Sequence, residues 1–224
     1  MISISHRRTA AFTLIELLVV IGIIAVLAGI IGGALRGGNP GTALQAGQST
    51  LVSLLANARG QAALNQTNAM VIVDVNNSAD DNYLRAFQVV TETTLGSGTW
   101  QPTGDIVKLP QGIYLVPKSI STGLVTMNSW PSLRVSSALQ DSTGQPIPGL
   151  PKLASNIAPK YLKFVGYTPQ GTLTPSNIGN RLIVAAGQRT DASTIALSNP
   201  DAVRGVNLST YGIATVVNEG ASFN

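Results

Sequence analysis

One long apolar run near the start of the chain constrains its architecture more than any other feature. Residues 12–35 contain a single charged side chain, Glu16, and follow the basic pair Arg7 and Arg8. A helix of this length would extend roughly 36 Å, enough to cross a bilayer core of about 30 Å. The run therefore predicts one membrane-spanning helix, with the arginines on the cytoplasmic side and the rest of the chain across the membrane.

Glu16 separates this run from an ordinary membrane anchor. A carboxylate at bilayer depth costs about 2.5 kcal/mol or more, and the run holds no basic residue to neutralise it. Small residues, Ala10 and Ala11, precede the run, whereas a secretory signal has them after its apolar core. Cleavage between Ala11 and Phe12 would free the Phe12 amine, which could neutralise Glu16 of a neighbouring subunit and fix the axial register of a helical bundle. An unprocessed signal anchor with an accidental glutamate is the alternative.

The histidine and cysteine content limits the chemistry available to the chain. There is no Cys, and the single histidine, His6, precedes the apolar run. Once residues 1–11 are removed, the mature chain lacks the commonest general base, the commonest metal ligand and the thiol nucleophile. No pair of carboxylates lies in a context suited to acid–base catalysis. We therefore expect a protein that is not an enzyme, with no catalytic residue, no metal site and no cofactor.

The rest of the composition indicates a β-rich body with many loops. Charged residues make up only 11% of the 224 residues, and Gly, Ser, Thr and Asn are abundant. This mixture is more typical of short strands and turns than of a helical bundle. The length suits one domain plus an anchor. Arg7 and Arg8 supply half of the formal charge of +4, so the charge alone does not indicate a nucleic-acid partner.

A second helix and a series of strands are predicted after the apolar run. Gly37, Gly38 and Pro40 interrupt the first helix near residues 37–41, and a second helix is expected over 42–65. Its apolar stripe, at spacings of three and four residues, comprises Leu44, Leu51, Leu54, Leu55, Ala58, Ala62 and Ala63. Short apolar runs bounded by Gly, Pro or Ser then predict strands in residues 69–75, 83–91, 105–110, 112–117, 123–127, 132–137, 160–173, 180–187 and 205–217. The proline-rich stretch 140–160 predicts a long loop.

The N-terminal segment resembles that of the type IV prepilins. The stretch "AAFTLIELLVVIGIIAVLAGI" (10–30) has the family's order of a basic leader, a small residue and then an apolar run that opens with Phe and carries Glu at its fifth position. The resemblance implies that a prepilin peptidase cleaves after Ala11 and methylates Phe12, and that Glu16 serves assembly. The family usually has Gly before the cut, where this chain has Ala11.

Later segments resemble the H-type minor pseudopilins and the FimT-like minor pilins. The stretch "LLANARGQAALNQTNAMVIVDV" (54–75) is similar to the second half of the family's helix and its first strand. Residues 161–173 and 206–217 are similar to the family's strand–Gly–strand hairpin and its closing strands. The resemblance implies an α+β, pilin-like fold in which a long N-terminal hydrophobic helix, interrupted near 37–41, packs on an antiparallel β-rich domain.

The resemblance also implies a domain organisation and a location. Residues 1–11 would be the leader peptide, 12–36 the transmembrane and assembly helix, 37–66 a linker with an amphipathic helix, and 67–224 the periplasmic β-rich domain. The chain would cross the bacterial inner membrane once, with its C-terminal domain in the periplasm. Its expected partners are other pseudopilin or pilin subunits, the prepilin peptidase, the inner-membrane assembly platform and, before assembly, membrane lipid.

The branch that this chain resembles includes subunits of secretion fibres and pilins that take up DNA. The DNA-binding relatives carry G-R-x-R in the closing strand, whereas residues 212–215 read G-I-A-T. DNA binding needs several clustered phosphate contacts, and we interpret the dispersed basic residues as solvated surface charge: Lys160, Lys163, Arg181, Arg189 and Arg204. We therefore expect a minor pseudopilin of a type II secretion system, without a nucleic-acid partner. The alternatives are a FimT-like minor pilin and a membrane-anchored periplasmic binding protein that does not polymerise.

One oxygen-rich turn has the residue types of a calcium site. Its members are Asp74, Asn76, Asn77, Asp80, Asp81 and Asn82. Calcium takes six to eight oxygen ligands, but the spacing is not that of an EF-hand, and Asn and Asp are also ordinary residues of hairpin loops. We therefore predict a hairpin loop here rather than a metal site.

Overall fold

The computed structural model describes residues 14–15, 17–23, 40–75, 80–117, 125–126, 130–131, 134–138, 161–174, 180–190, 194–197 and 199–223. The chain divides into two compact units, Met1–Asn39 and Pro40–Asn224. The first contains the apolar run, and the second is a folded body with its own hydrophobic core.

In the first unit, residues 14–15 and 17–23 are helical. Their large apolar side chains are exposed: Leu14, Ile15, Leu17, Leu18, Val19, Val20, Ile21 and Ile23. Within the described ranges, no helix combines the length and the apolar character needed to cross a membrane. The predicted interruption at residues 37–39 lies outside the described residues.

Helix α1 spans Pro40–Asn65 and opens the second unit. This confirms the second predicted helix, which begins two residues earlier than expected. Pro40 and Gly41 belong to the helix rather than to its interruption, because proline is tolerated in a first turn, where its missing N–H has no partner to lose. The buried face of α1 consists of Leu44, Gly47, Gln48, Leu51, Leu54, Leu55, Ala58 and Ala62.

Ala63 is exposed, so its assignment to the buried stripe of α1 was wrong. It lies about 100° around the helix from Ala62, since an α-helix has 3.6 residues per turn, and this rotation places it beyond the buried face. The helix ends at Asn65. The next residue, Gln66, has a positive φ of 54° and donates a hydrogen bond from Nε2 to the carbonyl of Ala63.

Twelve strands follow in the described part of the second unit. They are β1 (Ala69–Asp74), β2 (Ala86–Glu92), β3 (Trp100–Pro102), β4 (Val107–Lys108), β5 (Ile113–Leu115), β6 (Val125–Thr126), β7 (Tyr161–Tyr167), β8 (Leu173–Thr174), β9 (Arg181–Arg189), β10 (Ile195–Leu197), β11 (Val203–Leu208) and β12 (Ala214–Val217). A short 3₁₀ helix, Gly220–Phe223, comes last. The α+β class is therefore confirmed.

The first sheet is antiparallel and has the order β3-β2-β1-β7-β8, with β4 also pairing with β2. Strand β1 is buried along its whole length because it lies in the middle of this sheet. Val71 and Val73 belong to the main core, and Met70 and Ile72 belong to a smaller cluster that Trp100 covers. Burial on both faces explains why β1 reads as a continuous apolar run instead of an alternating one.

The second sheet has the order β12-β11-β9-β10-β6, and β5 also pairs with β9. All its pairings are antiparallel except that of β6 with β10. One edge of β9 pairs with β11, and the other pairs with β5 through residues 184–186 and then with β10 through 187–189. The main core brings together side chains of α1 and of both sheets.

Most of the predicted strands are present, but two parts of the expectation were wrong. Residues 134–138 contain no strand, although 132–137 were predicted to form one. Ser136 explains the pattern: its hydroxyl accepts from the Ile183 amide and donates to the Ile183 carbonyl, so a side chain replaces part of a backbone ladder. Strands β3 and β10 were not predicted, and the 140–160 loop lies outside the described residues.

Gln48 joins α1 to the last two strands. Its buried Nε2 donates to the carbonyl of Gly205 on β11 at 2.7 Å and to that of Val217 on β12 at 2.8 Å. A buried amide at this position satisfies two carbonyls that belong to paired strands. The contact therefore fixes where the closing hairpin lies against the helix.

Replacing Gln48 by Ala is expected to lower the free energy of unfolding by about 1–3 kcal/mol, because the change leaves buried carbonyls without their donor. Gln45→Ala is the matched control, since Gln45 is exposed on the same helix and the change in helix propensity is the same. The control should alter stability by less than about 0.5 kcal/mol. Urea unfolding of the full chain in detergent micelles, followed by circular dichroism, measures both. Equal midpoints for the two variants would contradict this role of Gln48.

Candidate functional site

The described part of the apolar run is a helix without a polar side. Residues 17–21 are consecutive, so at about 100° per residue they point in every direction around the axis. All five are large apolar residues, and between 46% and 64% of each is exposed. A helix that is apolar all round requires an apolar environment, either a lipid bilayer or a bundle of other helices.

The site residues predicted from the sequence in this segment are Ala11, Phe12 and Glu16. All three lie outside the described residues, whereas the helical residues around Glu16 are described. The predicted cleavage between Ala11 and Phe12, the methylation of Phe12 and the assembly role of Glu16 therefore remain predictions.

Comparison of the chain with known protein families gives one match at this segment. Residues 6–32 match the family model of the prokaryotic N-terminal methylation motif. The chain carries this methylation motif. The motif includes the predicted cleavage site, Glu16 and all the described helical residues of the first unit.

Two solved structures are similar to this chain, and both are of the minor pseudopilin EpsH from the type 2 secretion system of Vibrio cholerae. The first is 14% identical, with a TM-score of 0.40, over 78% of this chain and 95% of that one. The second is 11% identical, with a TM-score of 0.38, over 78% of this chain and 94% of that one. No curated protein sequence matches the chain.

The body that follows the methylation motif has an open hollow, which we call the hairpin groove. It has a volume of about 440 Å³ and is lined by Ala56, Arg59, Gly60 and Ala63 of α1 and by the turn at residues 169–171. The turn joins β7 to β8. Gly60 has no atom within 4 Å of the position that a Cβ would take, so the helix surface in the groove is open.

The turn between β11 and β12 lies beside the hairpin groove. A Cβ on Gly212 would come within 2.9 Å of the carbonyl oxygen of Gly171, which places the two turns in contact. Tyr211 and Ile213 flank Gly212 and are 69% and 53% exposed. This surface was not predicted from the sequence. Its signal was a pair of large apolar residues at a hairpin tip, where Gly, Asn, Asp and Ser usually dominate.

The side chain of Tyr167 contacts Gly212 in the turn between β11 and β12. It is fully buried, and its hydroxyl donates to the carbonyl of Gly212 at 3.3 Å. Burial raises the pKa of the Tyr167 hydroxyl well above its usual range, and the nearby Arg59 guanidinium offsets part of this rise. The side chain therefore stays neutral and acts as a structural hydrogen-bond donor.

The arginines considered for nucleic-acid binding are spread over the described body. Arg181 and Arg189 lie at opposite ends of β9, about 26 Å apart at roughly 3.3 Å per residue. Arg181 donates to the carbonyl of Phe223, Arg189 to that of Asp80 and Arg204 to the Asn218 side chain. Lys160 and the side chain of Lys163 lie outside the described residues. The three arginines do not form one basic patch.

The oxygen-rich turn is held together by cationic side chains and backbone groups. Asp81 forms an ion pair with the buried Arg85, and Arg189 Nη2 donates to the Asp80 carbonyl at 2.8 Å. The Asp80 carboxylate accepts from the backbone N–H of Asn82. Asn76 and Asn77 lie outside the described residues. Within the described ranges, no group of three or more acidic, histidine or cysteine side chains is placed to hold a metal ion.

Proposed function

We propose that this chain is a structural subunit of a pilin-type fibre, and specifically a minor pseudopilin of a type II secretion system. The observation that carries the proposal is the methylation motif at residues 6–32, which coincides with a helix that is apolar on every side. The helix is suited both to a bilayer and to a helical bundle. A methylation motif on such a helix favours a protein that is first anchored in a membrane and then enters a fibre.

In this proposal the apolar helix has two environments in succession. Before assembly it holds the subunit in the bacterial inner membrane as a single-pass protein, with the body in the periplasm. A prepilin peptidase cleaves between Ala11 and Phe12 and methylates the new amine. The inner-membrane assembly platform then transfers the helix from lipid to a bundle formed with the helices of other pseudopilin or pilin subunits.

Glu16 would give this bundle its axial register. A carboxylate buried among apolar helices needs a cationic partner, and the amine of Phe12 on a neighbouring subunit supplies one. A single ion pair per contact disfavours every register in which the two groups do not meet. The role of the chain is accordingly structural, and the proposal requires no catalytic residue or cofactor.

We prefer a secretion role to DNA uptake because the described arginines are spread over the body and engaged by other groups. Arg181 and Arg189 are separated by the length of β9, and each is engaged by a backbone carbonyl. Binding to a phosphate backbone depends on several cations acting together. The exposed residues of the closing hairpin, Tyr211 and Ile213, are better suited to contact with another protein.

The mass of the N-terminal peptide tests this proposal. The full chain would be extracted from membranes of cells with and without a co-expressed prepilin peptidase. We expect the peptide to begin with N-methyl-Phe12 only when the peptidase is present. A chain that keeps residues 1–11 in both samples would contradict the proposal and favour an anchored protein that does not polymerise.

A further inference from the structure

We propose that one end of the body docks on the surface of an anionic phospholipid bilayer and inserts its exposed apolar side chains there. We call it the uncharged end, and it consists of residues 64–68, 93–99, 168–172 and 209–213. The inference goes beyond the proposed function, which places only the N-terminal helix in a membrane.

The four segments of the uncharged end meet because of how the chain enters and leaves the first sheet. Residues 64–68 link the end of α1 to the start of β1. Ala69, the first residue of β1, pairs with Thr91 near the end of β2 and with Tyr167 at the end of β7. The β2–β3 and β7–β8 turns therefore begin beside the end of α1, and the β11–β12 turn contacts the β7–β8 turn.

The most exposed large apolar side chains of the described body lie at this end. Leu64, Tyr211 and Leu95 are 79%, 69% and 61% exposed. Every other large apolar side chain that the described part of the body exposes is at most 53% exposed, and one of these, Ile213, belongs to the same end. Exposed apolar residues that are grouped in one region mark an interaction surface.

The four segments contain no charged residue. Glu92, which precedes one of them, is buried, and its carboxylate accepts hydrogen bonds from the N–H groups of Gly96 and Gly98. Arg59 is exposed, and its Nε would lie 2.7 Å from a Cβ on Gly171, so its side chain borders the uncharged end. The exposed charge at this border is therefore positive, which suits an anionic partner.

The spread of the apolar side chains favours a lipid surface. In the first sheet, the β2–β3 and β7–β8 turns are three strand spacings apart, about 14 Å at roughly 4.8 Å per strand. Leu95 lies on the first turn and Tyr211 lies beside the second, so they are on opposite sides of the end. Taken alone, the closing hairpin would suit a protein partner, but protein interfaces concentrate their anchoring residues near the centre. Separate side chains can each insert into a bilayer.

The residue types of the uncharged end match the layers of a bilayer interface. Leucine and isoleucine side chains gain free energy on leaving water, and tyrosine combines an apolar ring with a hydroxyl, which suits the boundary with the headgroups. The other residues of the four segments are Gly, Pro, Ser, Thr, Asn and Gln, so no charge opposes entry. A cation at the border, Arg59, strengthens binding to anionic headgroups.

Capture of vesicles by the full chain tests the proposal. Helix α1 has 26 residues and extends about 39 Å, so the uncharged end lies far from Pro40, where the chain enters the body. The uncleaved chain would be held by its apolar helix in bead-bound nanodiscs of phosphatidylcholine, and empty nanodiscs would give the background. Fluorescent vesicles of phosphatidylglycerol and phosphatidylcholine should be captured, and vesicles of phosphatidylcholine alone should be captured about fivefold less.

Two substitutions at the uncharged end should remove most of the capture. The double variant Leu95→Gln and Tyr211→Gln deletes apolar area without changing the charge, and we expect a loss of about tenfold or more. The matched control carries Val107→Gln and Val216→Gln, at exposed apolar positions outside this end. The control should capture vesicles as well as the original chain does, and circular dichroism would compare the folding of both variants.

Fluorescence quenching reports insertion independently of these variants. Leu95→Trp and Ile106→Trp would be prepared separately, and the original chain gives the background from Trp100 and Trp130. Captured vesicles whose acyl chains carry bromine should quench the added tryptophan of the Leu95→Trp chain and not that of the Ile106→Trp chain. Contact with headgroups alone would not produce this difference, because the bromine atoms lie among the acyl chains.

The charge of the border gives a further test. Arg59→Gln is expected to lower the capture of anionic vesicles about fivefold and to leave the capture of neutral vesicles unchanged. An excess of inorganic phosphate at matched ionic strength should not compete with the vesicles. Competition by phosphate would overturn the proposal in favour of a site for free phosphate.

The remaining outcomes separate this inference from the proposed function. Equal capture by the double variant and its matched control would overturn the lipid contact. So would equal quenching of the Leu95→Trp and Ile106→Trp chains, or capture that does not depend on anionic lipid. Because the assay uses the uncleaved chain, failure of peptidase processing leaves its result unaffected.

Discussion

Replacing Gly205 by Val is expected to destabilise the body strongly, because the position has no space for a Cβ. A Cβ at Gly205 would lie 2.1 Å from the carbonyl oxygen of Leu182 and 3.0 Å from the Cα of Ile183, both on the neighbouring strand β9. These are backbone atoms of the central strand of the second sheet, so they cannot move aside as a flexible side chain can. Strands β9 and β11 would have to separate.

Overpacking of this kind typically costs about 1–3 kcal/mol and occasionally more. We expect the upper end or beyond, because the clashing atoms belong to the backbone of β9 and Gly205 also accepts the hydrogen bond from Gln48. Against a total stability of about 5–15 kcal/mol for a single domain, this is a large loss. The urea midpoint of the full chain in detergent micelles, followed by circular dichroism, measures the loss. Even the smaller change Gly205→Ala should be clearly destabilising.

Gly60→Ala is the matched control for Gly205. Gly60 lies within α1, and a Cβ there would have no atom within 4 Å. Alanine is better than glycine in a helix by about 0.5–1 kcal/mol, so this variant should be as stable as the original chain or more stable. If Gly205→Ala and Gly60→Ala had the same midpoint, the close approach of β9 and β11 would be disproved.

Replacing Glu16 by Ala is expected to abolish incorporation into the fibre while leaving the subunit in the membrane. Removing a carboxylate from an apolar segment makes membrane insertion easier by about 2.5 kcal/mol or more, so insertion should not be impaired. In the assembled bundle, however, the amine of Phe12 would lose its partner. The amount of subunit in sheared fibres, relative to that in the membrane fraction, measures the effect.

Gly22→Ala serves as the control for this prediction. Gly22 lies in the same apolar helix, and a Cβ there would have no atom within 4 Å, so the change adds one methyl group and no charge. It should leave both insertion and incorporation unchanged. Normal incorporation of the Glu16→Ala chain would refute the role assigned to Glu16, whatever the peptidase does at Ala11.

Local patterns were sufficient to predict much of the secondary structure. The spacing of Leu51, Leu54, Leu55 and Ala58 predicted α1, and the apolar run at 69–75 predicted β1. Strand structure was also predicted within 205–217, where β11 and β12 lie. These elements succeed because their burial pattern is repeated over several neighbouring residues, so one misplaced residue does not change the assignment.

The failures occur where an element is short or where a side chain replaces the backbone ladder. Strands β3 and β10 have three residues each, too few for a periodic pattern to emerge. At Ser136 the hydroxyl exchanges hydrogen bonds with Ile183, so an apparent strand pattern does not form a strand. Ala63 was misplaced because the edge of a helix face depends on what packs against it.

The sequence by itself determined the apolar run, its single carboxylate Glu16 and the methylation motif at residues 6–32, because all three are contiguous in the chain. Only the tertiary structure decided what surrounds α1. The hydrogen bond from Gln48 to Gly205 joins residues 157 positions apart, and the hairpin groove combines α1 with turns more than a hundred residues further along. Contacts of such long range depend on how the two sheets pack on one helix, and no local pattern in the sequence encodes that arrangement.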